Sequence, residues 1–139
     1  MPADFYIDAP RRLVFSRGTG VLTFADCRGH MERLLGEPGF RPEFNQLIDF
    51  RDVTDVAISA EEIVLLAARN VFSPKSRRAF VVANDLQFGL ARMFRSYREN
   101  AGEKGIQIFR EMKEALVWLA LTGMADPQPF PKVNLSARA

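Results

Sequence analysis

The sequence has little of the chemistry that marks most enzymes, since it contains one cysteine, Cys27, and one histidine, His30. A lone cysteine excludes an internal disulfide and is typical of a protein in a reducing compartment. The two residues are too few to complete a zinc site, and no Ser/His/Asp or Cys/His triad can be built around His30. We therefore predict no catalytic residue, no metal site and no cofactor.

Long hydrophobic runs and a strong charge excess are also missing. No apolar run reaches the roughly 18–20 residues that a membrane-spanning helix needs. The N-terminal segment MPADFYIDAPRR lacks the apolar core of a secretory signal. With 19 basic and 17 acidic residues the net charge is only +2, whereas nucleic-acid binding usually requires a concentrated basic stripe. We expect a cytoplasmic protein that binds neither membranes nor nucleic acid.

The chain has the size and composition of one globular domain, with 139 residues, 47% hydrophobic and 26% charged. Apolar strands alternate with segments of helical periodicity in the order ββαβαβα-βα. This order predicts an α/β fold with a mostly parallel central sheet of about five strands and about four helices. We place the domain at 1–123 and an extended or disordered tail, which contains prolines, at 124–139.

Local signals predict the first hairpin and helix. Residues 17–20 (Arg-Gly-Thr-Gly) are expected to end the second strand, and Thr23 then begins a helix with Asp26 in a capping box. On that helix Cys27 falls within the apolar stripe, which predicts a buried, inert thiol. His30 falls at the edge of the stripe, which predicts a position next to solvent.

The segment Gln46–Ala68, QLIDFRDVTDVAISAEEIVLLAA, is the most informative part of the chain. It predicts a buried strand over Leu47–Phe50 that ends in a group of acids. Ligands and partners gather at the carboxyl ends of strands in an open α/β sheet, so Asp52 and Asp55 are candidate contacts. The alternative is that both cap a turn. Asp49 lies inside the apolar strand and is expected to pair with an arginine.

Ser59 and Glu62 predict a capping box for the next helix, over about 60–71. Leu65 and Phe72 fall outside its main apolar face, so this helix is apolar over much of its circumference. Such a helix is either deeply buried or covered by something else. We leave both open and predict Leu65 and Phe72 as part of a surface for a protein partner, a second copy or a small apolar ligand.

Basic residues gather at two places that an anion could use. An anion-binding patch is one interpretation, and solvated surface is the default for such groups. The two groups are Lys75, Arg77 and Arg78, before a strand, and Arg92, Arg95 and Arg98, on a helix.

The element order resembles the STAS domain, the fold of bacterial anti-sigma-factor antagonists, and in particular its SpoIIAA-like branch. Three segments carry the resemblance, which spans roughly residues 5–122: LIDFRDVTDV, RRAFVVANDLQFGLARMF and IFREMKEALVWL. In typical members a serine in an Asp-Ser-Ser-Gly turn after the third strand is phosphorylated to switch partner binding. Here the equivalent region runs from Asp55 to Ser59 as DVAIS, without that turn motif. The branch is also similar to lipid-exchange domains of the CRAL-TRIO type.

The resemblance implies a non-enzymatic regulatory module that acts through a protein partner or by self-association as a homodimer. In this hypothesis the contact surface contains Asp52, Asp55, Leu65 and Phe72, and Ser59 is either a phosphorylation switch or a plain helix cap. The alternative is a carrier of a small molecule or lipid-like ligand, which would use the second apolar face of the helix over residues 60–72.

Overall fold

The computed structural model describes residues 2–121, which form one five-stranded sheet and four helices. The strands lie in chain order, with β1 antiparallel to β2 and all other neighbours parallel. The predicted α/β class, initial hairpin and mostly parallel sheet are therefore confirmed. The strands are β1 (Ala3–Asp8), β2 (Leu13–Thr23), β3 (Asn45–Ala57), β4 (Arg78–Val81) and β5 (Ile106–Phe109).

The first two helices begin where the sequence predicts, and both predicted capping boxes are present. Thr23 Oγ1 accepts the Asp26 N–H and Ser59 Oγ accepts the Glu62 N–H, each over 3.2 Å. The carboxylates of Asp26 and Glu62 in turn accept hydrogen bonds from the backbone N–H groups of the two cap residues, both at 2.9 Å. The helices are α1 (Phe24–Leu35), α2 (Ala60–Ala67), α3 (Asp85–Asn100) and α4 (Met112–Trp118).

The helices are divided unequally between the two faces of the sheet. Side chains alternate between faces along a strand, and α4 packs against one set, which includes Phe15 and Leu47. The other set, which includes Val14 and Phe80, contacts α1, α2 and α3. The second face therefore carries most of the helical cover.

β2 does not break at residues 17–20 but continues beside β3. Register shifts in this segment bend the ladder without ending it. A Cβ on Gly18 would lie 2.8 Å from Val53 Cγ2, and Gly20 has a φ of +63°, so both positions favour glycine. The prediction of a strand end was wrong because these glycines allow an irregular strand and do not terminate it.

α2 ends at Ala67 and not near residue 71, as the sequence predicted. Arg98 donates from Nη1 to the carbonyl oxygens of Ala67 and Arg69, at 2.9 and 3.0 Å. These bonds satisfy carbonyl groups that the end of a helix leaves without partners. A side chain distant in sequence therefore helps to set the end of α2.

The domain boundary predicted at residue 123 and the tail predicted at 124–139 lie outside the described residues, so both stay predictions. Among residues 2–121, no helix combines the length and the apolar character that crossing a membrane requires.

Candidate functional site

The prediction that Asp52 and Asp55 follow the end of a strand was wrong. Both lie inside β3, are exposed, and pair across the ladder with Thr19 and Val21 of β2. The expected turn does not form because β2 is long enough to continue the ladder to residue 57. A role for these two acids in contacting a partner stays a prediction.

Asp49 has the arginine partner that its place in an apolar strand predicts. Arg51 donates from Nε to Oδ1 and from Nη2 to Oδ2, both at 2.9 Å, and its amide also donates to Oδ1 at 2.9 Å. This buried carboxylate is therefore held in a local ion pair. In the described part of the chain, no three His, Cys, Asp or Glu side chains are placed to hold a metal ion.

The two apolar residues predicted to share a surface lie in different environments. Leu65 is 58% exposed and, with Val64 at 39%, forms the outer side of α2. Phe72 is 4% exposed and packs edge to face against Phe40, with 5.3 Å between ring centroids. Phe72 is therefore not on the outer surface, because α2 ends at Ala67 and Phe72 belongs to the segment that follows. It lines the cavity described below, so its role in contacting a ligand stays a prediction.

Ser59 is exposed at the start of α2, and its hydroxyl is the predicted helix cap. The cap bond uses the oxygen as an acceptor for a backbone N–H, which is enough to explain a serine at this position. Phosphorylation of Ser59 stays a prediction.

A cavity of about 140 Å³ lies between the sheet and helices α1, α2 and α3. Ile63 and Leu66 line it from α2, Ile48 and Phe80 from the sheet, and Leu90 from α3. The ligand-binding alternative predicted from the sequence placed the ligand on the second face of α2. The cavity instead lies beneath the face that already packs inward.

A connected group of polar side chains interrupts the apolar wall of the cavity. Ser16 Oγ lies 2.9 Å from His30 Nε2 and accepts from Gln46 Nε2 at 3.1 Å. Gln46 Oε1 accepts from Arg78 Nε at 2.9 Å. Arg78 Nη1 donates to both carboxylate oxygens of Glu103 at 3.1 Å. A chain of hydrogen bonds therefore connects α1, β2, β3 and β4 at the cavity wall.

Behind this wall, Glu103 is shared by two buried arginines. Arg98 Nε donates to Glu103 Oε1 at 2.7 Å, and Arg78, Arg98 and Glu103 are 5%, 3% and 1% exposed. The default interpretation of Arg78 and Arg98 as solvated surface was therefore wrong. Desolvation lowers the pKa of Arg78, and the nearby charge of Glu103 partly offsets this effect.

The two rare residues of α1 both line the cavity. His30 is partly buried, and burial together with the charges of Arg33 and Arg78 lowers its pKa to about 4. It is therefore neutral at pH 7. Burial and the charge of Asp26 raise the pKa of Cys27 to about 12, so its thiol stays protonated, as predicted.

Gln46 and Ser16 were not predicted as site residues, and neither was a buried role for Arg78. Gln46 and Arg78 are partners in the β3–β4 ladder, where each begins an apolar strand segment. A polar residue at the same end of two neighbouring buried strands is a usable signal, because two such groups can satisfy each other. The strand order was needed to see it.

The sequence matches no protein-family profile and no curated protein. An uncharacterised protein of the DUF3478 family from Shewanella loihica PV-4, described as having a SpoIIAA-like fold, is structurally similar. The TM-score is 0.55 and the identity 21%, over 84% of this chain and 93% of that chain. The anti-sigma-factor antagonist SpoIIAA, in its unphosphorylated form, has a TM-score of 0.52 and 11% identity, over 88% and 99% of the two chains.

At these identities the likeness shows the fold alone, and it agrees with the resemblance found in the sequence. The mostly parallel five-stranded sheet with its antiparallel first strand is that of a SpoIIAA-like, STAS-type fold.

Proposed function

We propose that this protein is a non-enzymatic, STAS-like module that acts by binding a small ligand in the cavity beneath α2. The observation that carries the proposal is the cavity itself, of about 140 Å³, with an apolar wall and one buried polar group that contains Arg78. A dry cavity of about 150 Å³ lined by apolar side chains is large enough to bind benzene. Interiors are otherwise close-packed, so a space of this size costs stability unless it is used.

In the part of the chain that the structure describes, the Ser16–His30 contact is the one arrangement that resembles a catalytic pair, and its details favour a structural role. A histidine that activates a serine needs a pKa near the working pH, whereas that of His30 is lowered to about 4. A third group usually orients the histidine. Within residues 2–121 the ring of His30 contacts Ser16 and Phe5 but no carboxylate. Gln46 Nε2 also donates a hydrogen bond to the Ser16 hydroxyl oxygen.

The proposal is tested by titrating the protein with small apolar compounds, benzene and toluene first, and following backbone amide signals by NMR. We expect saturable shifts around Ile63, Leu66 and Leu90. Ala91→Leu adds bulk to the cavity wall and should abolish them. Ser96→Leu, an exposed position on the same helix, is the matched control and should bind as the wild type does. Absence of saturable shifts in the wild type would contradict the proposal.

The outer side of α2 supports a second candidate function, recognition of a protein partner or of a second copy. Val64 and Leu65 are exposed there, and Leu86 at the start of α3 is 59% exposed. One structural neighbour is named as an antagonist of an anti-sigma factor, which is a function exerted on another protein. Exposed apolar side chains of this kind are frequent in interfaces.

Sedimentation velocity over a range of concentrations tests self-association. If two copies meet through α2, Leu65→Glu should shift the population towards the monomer, whereas Leu35→Glu, an equally apolar exposed position on α1, should not. A wild-type protein that sediments as a monomer at every concentration would contradict self-association. The buried Phe72 is unsuitable for this test, because its substitution would disturb the core.

A further inference from the structure

The Arg78 guanidinium is buried on the cavity wall with part of its hydrogen-bonding capacity unused. Its bonds to Gln46 and Glu103 leave from Nε and Nη1. Among residues 2–121, Nη2 has no hydrogen-bond partner, yet it is not fully enclosed by protein atoms. Since the side chain is 5% exposed and lines the cavity, the open space beside Nη2 belongs to the cavity.

The buried charges around Arg78 do not balance. Arg78 and Arg98 share the single carboxylate of Glu103, which leaves the group with one positive charge in excess. The other bonds of Arg98 go to backbone carbonyls of Ala67 and Arg69, which are neutral. A buried charge is costly unless it is paired, and the excess cation borders the cavity.

The lining of the cavity has the same sign of charge. Arg78 lines it, whereas no Asp or Glu among residues 2–121 does. The rings of Phe72, Phe80 and Phe94 surround the Arg78 guanidinium, with centroids 4.5 to 5.7 Å from its Cζ. These contacts hold the guanidinium in place between aromatic walls. The site therefore offers a fixed cation next to apolar surface.

We propose that the cavity binds a small monocarboxylate with a compact apolar body, whose carboxylate accepts hydrogen bonds from Arg78 Nη2. The inference rests on the proposed function, because it names the class of ligand for the same cavity. Nη2 of a charged guanidinium can donate charge-assisted hydrogen bonds to a carboxylate, which are stronger than those to a neutral acceptor. The volume limits the apolar body to about the size of one benzene ring. Benzoate and 3-methylbutanoate are suitable probes.

The experiment compares a carboxylate with a neutral compound of the same shape. Benzoate and nitrobenzene are both planar and nearly equal in size, and differ mainly in charge. Titration at pH 7.5, followed by calorimetry or amide NMR, should give at least tenfold tighter binding of benzoate. Likewise, 3-methylbutanoate should bind more tightly than 3-methylbutanamide, its neutral analogue. Ala91→Leu should abolish binding of all four compounds, which assigns the effect to the cavity.

Arg78→Gln tests the residue itself. This substitution leaves Arg98 and Glu103 as a balanced pair, so we expect the protein to fold and to lose the preference for benzoate. Arg77→Gln, at the exposed neighbouring position, is the control and should keep the preference. A preference that survives Arg78→Gln would overturn the assignment.

Two further results separate this inference from the proposed function. Equal binding of benzoate and nitrobenzene to the wild type would overturn the carboxylate class, while the cavity would still be a ligand site. Failure of all four probes and of benzene to bind would overturn both. The wild-type comparison decides the question even if Arg78→Gln does not fold.

Discussion

The two faces of the sheet are made by alternate residues of the same strands, yet they differ in how they are packed. The α4 face has an apolar cluster in which Leu13, Ala79 and Ala115 are at most 1% exposed, and Asp49, two residues after Leu47 on the same strand, is paired there with Arg51. The opposite face carries three helices but also contains a partly open cavity and a buried group of charges around Glu103. More helical cover has therefore not produced tighter packing.

The two faces therefore differ in how they affect the stability of the folded state. Close packing and burial of apolar area favour the folded state, as on the α4 face. An unfilled volume and a buried excess charge both oppose it. The unfilled volume and the excess charge occur at one place, and a bound ligand that fills the space and balances the charge would explain both. The following predictions test this contrast.

The largest effect is expected from the charges. Glu103→Gln would leave Arg78 and Arg98 buried without a counter-charge, and removal of one partner from a buried ion pair costs about 3–5 kcal/mol. Urea unfolding of the variant and the wild type measures this loss. Glu99→Gln, at an exposed position nearby, should change the free energy of unfolding by less than about 0.5 kcal/mol. Equal stability of the two variants would contradict the buried charge group.

The next effect compares two buried alanines on opposite faces. Ala115→Leu inserts bulk into the packed α4 face and should cost about 1–3 kcal/mol. Ala91→Leu inserts the same bulk beside the cavity and should be neutral or stabilising. Thermal or urea unfolding measures both. If Ala91→Leu is as destabilising as Ala115→Leu, the space beneath α2 is not available to a side chain.

A change of stability with pH is expected from His30. In the unfolded chain its pKa is near 6.5, and in the fold it is lowered to about 4. Between these values the unfolded state binds a proton that the folded state does not, so the free energy of unfolding decreases as the pH falls from about 6.5 to about 4. Above this pH range His30 adds no pH dependence to the free energy of unfolding, and below the range its stabilising contribution is fully lost.

The decrease is isolated by subtracting the pH profile of His30→Gln from that of the wild type, so that carboxylates common to both cancel. The signal of the single imidazole gives the folded pKa directly by NMR. A folded pKa near 6.5 would show that His30 lies in contact with solvent, as the sequence had predicted.

The smallest effect concerns the start of α2, which covers the cavity. Ser59→Ala removes the cap bond and should cost about 1 kcal/mol, whereas Ser59→Asp keeps an acceptor there and should cost less. Because the change loosens α2, ligand affinity should fall with Ser59→Ala but not with Thr54→Ala, at an exposed position in β3. An unchanged affinity for Ser59→Asp, together with unchanged partner binding, would count against a phosphorylation switch.

Most of the fold could be predicted from the sequence, because its signals are local. Thr23 with Asp26 and Ser59 with Glu62 satisfy backbone groups three residues away, so their capping boxes are visible without tertiary information. The end of β2 could not be predicted in this way. Glycines at positions 18 and 20 also occur in turns, and only the neighbouring strand β3 shows that they lie in an irregular strand.

The candidate site was predicted less well than the fold. Asp49 inside an apolar strand predicted its arginine, because a buried carboxylate must be paired. Phe72 was assigned to the surface of a helix that ends earlier, and Arg78 and Arg98 were read as solvated. Each error has the same cause: the contacts that decide these positions join residues far apart in the chain.

The sequence alone determined the alternation of strands and helices, their caps, and the α/β class, because these depend on periodicity and on neighbours within a few residues. Only the tertiary structure decided which residues surround the cavity. Ser16, His30, Gln46 and Arg78 come from four separate elements, and the strand order brings them together. Whether a side chain is buried depends on contacts with residues far away in the chain, so no local sequence pattern can predict it.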